Sequence, residues 1–381
     1  MKLRFRLNGL KESNIFIMLM TLYLICSMFE GYSPELSSIS SFVILSIILY
    51  ILFTKRKMQL NNIHFILIMW VIYYFSSLIW GANTDFAQAK MYINTIISMS
   101  ILFVLLTSST FSEKFISYFI KLYYLFSVIL GIVSLFSFTY IGAGTRRVAL
   151  LFGNYIDPNN QVALLAVGTA IALNQLFFLK NNKRKILDFM ALIINAIGIL
   201  LTGSRSGIII IAAQILISFF LLWRYSNKKT FFCKWIVIIL LVIVGLILIF
   251  RFLPTEIIDR LFGIGDLKFT DGTDREIRWL TGLHIWEQHP LFGNGWGTFE
   301  SHNTFLTILI DIGVIGFCLL LAMILNIMKK LIKNKNTLGI YLLLTGLIPS
   351  FFIGAQNKRF FWNCLIIPVM LLCVRKEKRN V

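Results

Sequence analysis

Charge is scarce in this sequence. Of its 381 residues only 14% are charged, where a soluble domain carries about 25%. With 58% hydrophobic residues and a mean hydropathy of +0.81, that shortage excludes a water-soluble fold. Acids are scarcer still, 17 Asp and Glu against 36 Lys and Arg. Cysteine is sparse and unpaired in sequence. Cys26, Cys233, Cys318, Cys364 and Cys373 fall inside or beside apolar runs and form no CxxC pair, so neither a zinc site nor a disulfide framework is indicated. They read as small buried hydrophobes. Of the 4 histidines, His284 and His289 are five apart, with no further His or Cys at ligand spacing, so no metal site is expected. There is no Asp-x-Asp of the kind that holds a divalent ion against a sugar nucleotide, and Asp271 and Asp274 have the wrong spacing. The glycines of GNGWG (293–297) follow no strand and do not form G-x-G-x-x-G, which leaves a nucleotide reading weak. No cofactor is expected. The basic-then-apolar start lacks an A-x-A-like cleavage site and is followed by more apolar runs, so it reads as an uncleaved first span. No long repeat or low-complexity tract is present.

What the chain has in abundance is apolar runs of membrane length, about 20 residues each. Twelve are expected to be transmembrane helices: 14–29, 37–53, 63–80, 91–107, 115–139, 159–179, 186–202, 207–223, 233–252, 303–326, 337–353 and 360–374. With the N-terminus in the cytoplasm, the segments that alternate onto the cytoplasmic side carry twenty-four Lys and Arg against four acids. The opposite side carries eleven against thirteen. This is the positive-inside pattern, and it predicts an even span count with both termini cytoplasmic. The net charge of +19 is therefore a topology signal, and no nucleic-acid partner is expected. The fold class expected is an all-α polytopic membrane protein of about twelve helices. It would form a single membrane domain over 1–381, with a large helical extracytoplasmic loop at 253–302 between helices nine and ten and a second loop at 140–158.

Because the outer side is poor in basic residues, those present stand out. Arg146 and Arg147 lie in the 140–158 loop, ahead of Asp157-Pro158-Asn159-Asn160. Arg205 lies in the short turn Thr202-Gly203-Ser204-Arg205-Ser206-Gly207, which puts it near the hydrocarbon boundary. An arginine there is costly unless paired or facing a wet cavity. It is either a snorkelling interfacial residue or an anion-binding one, and flanking glycines and serines favour the second. Arg275 and Arg278 follow a capping-box pattern, Thr273 to Glu276. It predicts a helix from Thr273 to Gln288 with Arg275, Arg278 and Trp279 on one face. That face could lie on the membrane, the arginines touching lipid phosphates, or line a site. His302 ends the long loop and Asn303 opens span ten, the histidine serving as a polar anchor or as a working imidazole. Guanidiniums bind phosphate bidentately and imidazole takes a proton near neutral pH. Together they suit a lipid pyrophosphate whose cargo is transferred to a hydroxyl.

The stretches LLTGSRSG (200–207), Arg275-x-x-x-Trp279, HPLFGNGWGTF (289–299) and SHNTFLTILIDIGVIG (301–316) resemble the O-antigen ligase and polymerase family of bacterial envelope proteins. The twelve-span layout fits that resemblance, as does Asp157-Pro158-Asn159. The resemblance implies glycosyl transfer from an undecaprenyl-pyrophosphate-linked glycan to an acceptor sugar hydroxyl at the outer face of the bacterial cytoplasmic membrane, without metal or nucleotide. Carried onto this sequence, Arg205 and Arg275 would hold the pyrophosphate and His302 would take or orient the acceptor proton. Arg146, Arg147, Arg278, Asn159 and Asn303 would bind substrate. Membrane lipids and a chain-length regulator of the same pathway are the other partners implied. One departure concerns the earlier loop, where many relatives have R-x-x-G but Arg147 is followed by Val-Ala-Leu. This leaves open which of the two arginines matters. Asp311, farther along the same helix as His302, is expected to point inward.

A repeat-unit polymerase is favoured over a terminal ligase on one association: the Ile-, Lys- and Asn-rich composition suggests an AT-rich genome, where such genes often accompany capsule synthesis. A flippase of lipid-linked glycans is the alternative of another class. Transporters often show repeat halves and charges near the midplane, whereas here no repeat is seen and the informative charges sit on outer loops.

Overall fold

Lipid satisfies no backbone hydrogen bonds, so long apolar runs close into helices that satisfy their own. The computed structural model describes residues 12–54, 58–81, 86–142, 144–179, 184–262 and 275–373, and it is 79% helical. In order come α1 (Asn14–Phe29), α2 (Pro34–Phe53), α3 (Asn62–Trp80), α4 (Phe86–Ser108) and α5 (Glu113–Phe136). A hairpin follows, β1 (Phe138–Ile141) and β2 (Arg146–Ala149), then α6 (Pro158–Phe178), α7 (Lys185–Leu201), α8 (Arg205–Tyr225) and α9 (Lys228–Phe252). Two shorter helices, α10 (Thr255–Phe262) and α11 (Arg275–Gln288), precede α12 (Thr304–Lys333), α13 (Thr337–Leu347) and α14 (Arg359–Leu372).

Among the described residues, 8 helices are long and apolar enough to cross a membrane: α1, α2, α3, α5, α6, α8, α9 and α12. The other four expected spans fall on α4, α7, α13 and α14, whose apolar stretches are shorter. At about 1.5 Å per residue, a 14-residue helix such as α14 covers less than the ~30 Å hydrocarbon core. The hairpin departs from the all-helical expectation. Its first strand takes Phe138 and Thr139 from the expected fifth span, pairing them with Ala149 and Val148. Gly142 and Gly144, with φ of 59° and 84°, turn the chain back. The strands pair antiparallel, Phe138 with Ala149 through Ile141 with Arg146.

The chain divides into two compact units. The first comprises Gly31–Ser33 and Tyr123–Gly272, and α6 is its core. The sequence of α6 is rich in Ala and Gly, so neighbouring backbones approach closely. Ser127 of α5 donates to the carbonyl of Leu164 at 3.0 Å and accepts from the amide of Gly168 at 3.0 Å. A Cβ at Gly168 would fall 2.5 Å from that hydroxyl. By contrast, α9 is almost wholly exposed, only 6% of its most apolar stretch being buried, as expected of a helix whose neighbour is lipid.

The second unit comprises Lys2–Glu30, Pro34–Leu122 and Thr273–Val381. Here α12 packs on α3, and α13 on α14. At the start of α14, buried Arg359 pairs with Glu30 and donates to Ser41 Oγ at 3.0 Å. A buried guanidinium is tolerable only with such partners. Asn61 caps α3 reciprocally with His64, whose other ring nitrogen lies 2.8 Å from Thr107 Oγ1. His64 is thus a buried structural histidine.

Candidate active site

In the first unit the site residues gather around the turn between α7 and α8. Gly203 has a φ of +60°, and a Cβ there would lie 2.4 Å from the carbonyl oxygen of Thr145, 3.2 Å from Arg260 Cδ and 3.3 Å from Arg146 Cγ. Only glycine lets the hairpin turn sit against this position. Arg205, the first residue of α8, donates through Nε to the carbonyl of Arg260 at 3.1 Å. Arg146, Arg205 and Arg260 therefore surround one glycine turn at the amide end of a helix, where partial positive charge already accumulates. Burial pushes Arg146 below its usual value, the adjacent Asp157 carboxylate opposes this, and the Arg205 charge adds to it.

Successive strand residues point to opposite faces, and this separates the paired arginines. Arg146 faces the Gly203 turn. Arg147 lies with its guanidinium carbon 3.4 Å from the centre of the Phe138 ring and donates to the carbonyl of Leu135. Burial lowers its value too, with Tyr140 opposing. Asn159 is buried, its Oδ1 accepting from Ser204 Oγ at 2.5 Å and Ser206 Oγ at 3.0 Å. Asp157 caps α6 through the amides of Asn159 and Asn160. The starts of α6 and α8 are thereby fastened to each other.

In the second unit the long loop is built onto a broken helix. Within α12, Gly313 has φ 62° and ψ −169°, which interrupts the helix. The backbone groups freed by the break are taken up by the loop. Asn294 and Gly295 donate to the carbonyls of Ile310 and Asp311 at 2.8 and 3.0 Å, while Val314 and Ile315 donate to Pro290 and Leu291 at 2.9 and 3.3 Å. A Cβ on Gly293 would meet Asp311 O at 2.4 Å, and one on Gly313 would meet Leu291 O at 2.3 Å. Trp296 is buried, stacked on Tyr74 of α3 at 4.5 Å between ring centres, with its amide donating to Ser77 Oγ at 3.1 Å. Asp311 points inward, 1% exposed, and accepts from the Tyr74 hydroxyl at 2.7 Å. The loop is thus anchored to α3 and α12, and Asn294 Nδ2 ties it to α11 through the carbonyl of Ile285 at 2.7 Å.

This platform carries His302. Asn303 caps α12, its Oδ1 accepting from the amides of Phe305 and Leu306. Thr304 is held by Ile353 and Ala355 through bonds of 2.8 and 2.7 Å. Between these fixed points His302 adopts a φ of +55°, uncommon for a residue with a side chain, and its ring is 47% exposed. Its Nδ1 stands 3.7 Å from Glu300 Oε1, and Glu300 Oε2 accepts from Tyr92 at 2.8 Å. The His302 ring holds the Glu300 carboxyl below the usual carboxylate range against the effect of burial, with help from Tyr92 and Lys358. Helix α11 ends at Gln288 as expected, while Thr273 and the capping box lie outside the described residues. Arg275, Arg278 and Trp279 share its half-buried face, which also carries Gly282; between them Glu276, Ile277 and Leu280 are exposed. Gly282 is the point of contact with α12, where a Cβ would lie 2.9 Å from Ile310 Cδ1.

Each unit thus holds its own group: Arg146, Arg205 and Asn159 in the first; Arg275, Arg278, His302 and Asn303 in the second. Two residues have no assignment from sequence. Arg260 arrives on α10, a short amphipathic helix whose Ile257 and Leu261 pack against Leu201. Glu300 precedes His302 by two, and its Oε1 is the carboxylate oxygen beside the ring. Among the described residues no group of three or more His, Cys, Asp or Glu is placed to hold a metal ion.

By fold, the protein is a helical chain with several membrane-length helices, and each of its two units carries polar groups on its interhelical loops. Residues 190–321 match a family model described as O-antigen ligase, a segment running from within α7 to within α12 and containing Arg205, Arg260, Arg275, Arg278, Glu300 and His302. The match spans about a third of the chain, and over that segment the chain is similar to the O-antigen ligase family. It also supports glycosyl transfer in surface-polysaccharide assembly as the class of activity. No curated protein matches the chain.

Proposed function

We propose that this protein is a metal-independent glycosyltransferase that joins glycan repeat units at the outer face of the cytoplasmic membrane, using an undecaprenyl-pyrophosphate-linked donor. The acceptor hydroxyl oxygen bonds to the donor's anomeric carbon, and the bond from that carbon to the pyrophosphate oxygen breaks. Undecaprenyl pyrophosphate leaves, and the hydroxyl proton passes to His302. Arg205 and Arg275 counter the charge that grows on the leaving group, where fixed cations in a poorly solvated site are most effective. Arg146 and Arg278 add to the donor's binding. Asn159 and Asn303 act by fixing the helix starts that carry Arg205 and His302. The topology proposed is twelve spans in one membrane domain, with both termini cytoplasmic and loops 140–158 and 253–302 outside. A chain-length regulator is a proposed partner.

The observation that carries this reading is His302 itself: a half-exposed imidazole, in a backbone conformation held by its neighbours, at the mouth of a membrane-length helix inside the matched segment. The family description supports the ligase reading, in which a finished chain is moved to a terminal acceptor. A deletion strain separates the two. Single repeats on the normal acceptor, with no long chains, indicate the polymerase. Long chains left on the lipid carrier with a bare acceptor indicate the ligase, and an unchanged surface glycan contradicts both.

The hairpin gives a second prediction. Arg146→Ala is expected to lower transfer by about 10²-fold, the scale of losing one preorganised charge partner, without lowering thermal stability. Arg147→Ala is expected to cost stability, about 1–2 kcal/mol for the lost carbonyl bond and ring contact, while activity per folded molecule persists. Turnover and melting temperature measured on both proteins check this; the reverse pattern would reassign the pair.

A further inference from the structure

We propose that Glu300 is the positioning residue of His302, holding the imidazole with Nδ1 toward its carboxylate and Nε2 toward the acceptor hydroxyl, while Tyr92 holds Glu300 in turn and Gly354 leaves room for it. The inference rests on the role proposed for His302 and assigns a task to a residue outside that reaction scheme.

Four observations carry it. Glu300 Oε1 lies 3.7 Å from His302 Nδ1, ion-pair spacing, slightly beyond a hydrogen bond; such contacts are often loose before substrate binds. The other carboxylate oxygen is occupied, accepting from Tyr92 of α4 at 2.8 Å, so the group has one face for the histidine and one for its anchor. Gly354 leaves room for it, since a Cβ there would lie 2.7 Å from Oε1. Finally, the positive φ of His302 and the bonds of Ser301, whose amide meets Thr307 Oγ1 at 3.2 Å and whose hydroxyl meets the carbonyl of Asn303 at 2.9 Å, fix the backbone between the two side chains. Among the described residues, the charged and titratable groups facing Glu300 are His302, Tyr92 and Lys358, with no second acid.

An imidazole whose one nitrogen donates to a carboxylate offers the other as a base, and the imidazolium formed on proton uptake is stabilised by the same carboxylate. Because the folded-state value of Glu300 is depressed, its charge is present above the ordinary carboxylate value of about 4.3. That charge is lost only as pH falls through the lower folded value. Over the neutral range the support it gives His302 is therefore independent of pH.

The test uses full-length protein labelled with ¹⁵N-histidine in lipid nanodiscs. With 4 histidines in the chain, His302 is assigned by the signal lost in His302→Asn, and the buried His64 signal reports that the fold is intact. The wild type is expected to carry its proton on Nδ1 of His302. Glu300→Gln should shift part of the population to the Nε2–H tautomer, and Glu300→Leu more of it. In both, kcat should fall by about tenfold to a hundredfold, part of the 10²–10⁴ that general-base catalysis supplies, with donor KM unchanged. Tyr92→Phe should give a smaller loss, about threefold to tenfold. Wild-type tautomer and kcat in both Glu300 variants would overturn the inference while leaving His302 in its role. Wild-type turnover in His302→Asn would instead overturn the catalytic reading itself.

Discussion

His302→Ala is expected to lower glycan transfer by about 10²–10⁴-fold, the share that a positioned general base contributes, while the protein folds and inserts as before. The second half of that expectation follows from the geometry. The ring is 47% exposed and its nearest charged neighbour is Glu300, so no core packing is lost. The platform beneath it is made by other groups: the Asn303 cap, the Thr304 bonds to Ile353 and Ala355, and the anchored loop. The one structural cost is backbone, since alanine at φ +55° is less at ease than residues that tolerate the left-handed region. His302→Asn removes this objection, because asparagine accepts that conformation yet cannot take up the proton. The asparagine variant should show wild-type melting and the alanine variant a slightly lower one, both with lost turnover. If alanine lost activity and asparagine kept it, the backbone and not the imidazole would be what matters.

Gly313→Ala is expected to destabilise the second unit severely. The pair φ 62°, ψ −169° lies where essentially only glycine is found, and forcing another residue there costs about 1–3 kcal/mol. The added methyl would also stand 2.3 Å from the carbonyl oxygen of Leu291 and 2.6 Å from the amide nitrogen of Gly293, and overpacking of that kind costs about 1–3 kcal/mol more. The loop can yield only by giving up the bonds from Asn294, Gly295, Val314 and Ile315, which leaves four backbone pairs open around a buried helix break. Such groups are expensive where water is absent. A lower melting temperature and faster proteolysis in the 289–303 loop should accompany loss of transfer. A Gly313→Ala protein with wild-type melting and activity would mean that the break is dispensable.

The helices are legible in the sequence because apolar runs end at charge, glycine or proline, signals that do not depend on distant partners. Even so, the expected fifth span runs past the end of α5. Phe138 and Thr139 are as apolar or neutral as their helical neighbours, and only the pairing with Val148 and Ala149 makes them strand. The same hidden hairpin keeps Arg146 and Arg147 indistinguishable in sequence, since strand alternation is what separates them. The break in α12 is hidden more deeply. Asp311-Ile-Gly313 reads as ordinary helix with a tolerated glycine, and nothing local says that a segment some twenty residues upstream supplies the missing hydrogen bonds. Arg205 and His302 are legible as candidates because each is a costly residue at a helix mouth. Arg260 is not, since in sequence it is one more arginine in a short amphipathic helix. Glu300 stands in view beside His302, but an acid is the expected charge on the outer side and carries no signal there.

The most direct test of the account is a reconstitution in nanodiscs with purified protein, undecaprenyl-pyrophosphate-linked repeat unit and no added nucleotide sugar, following free undecaprenyl pyrophosphate and glycan length together. The wild type is expected to release one undecaprenyl pyrophosphate for each glycosidic bond formed, and the His302→Asn protein to form neither product at a comparable rate. Glycan joining by His302→Asn at the wild-type rate, or no joining by an intact wild-type protein given this donor and acceptor, would contradict it.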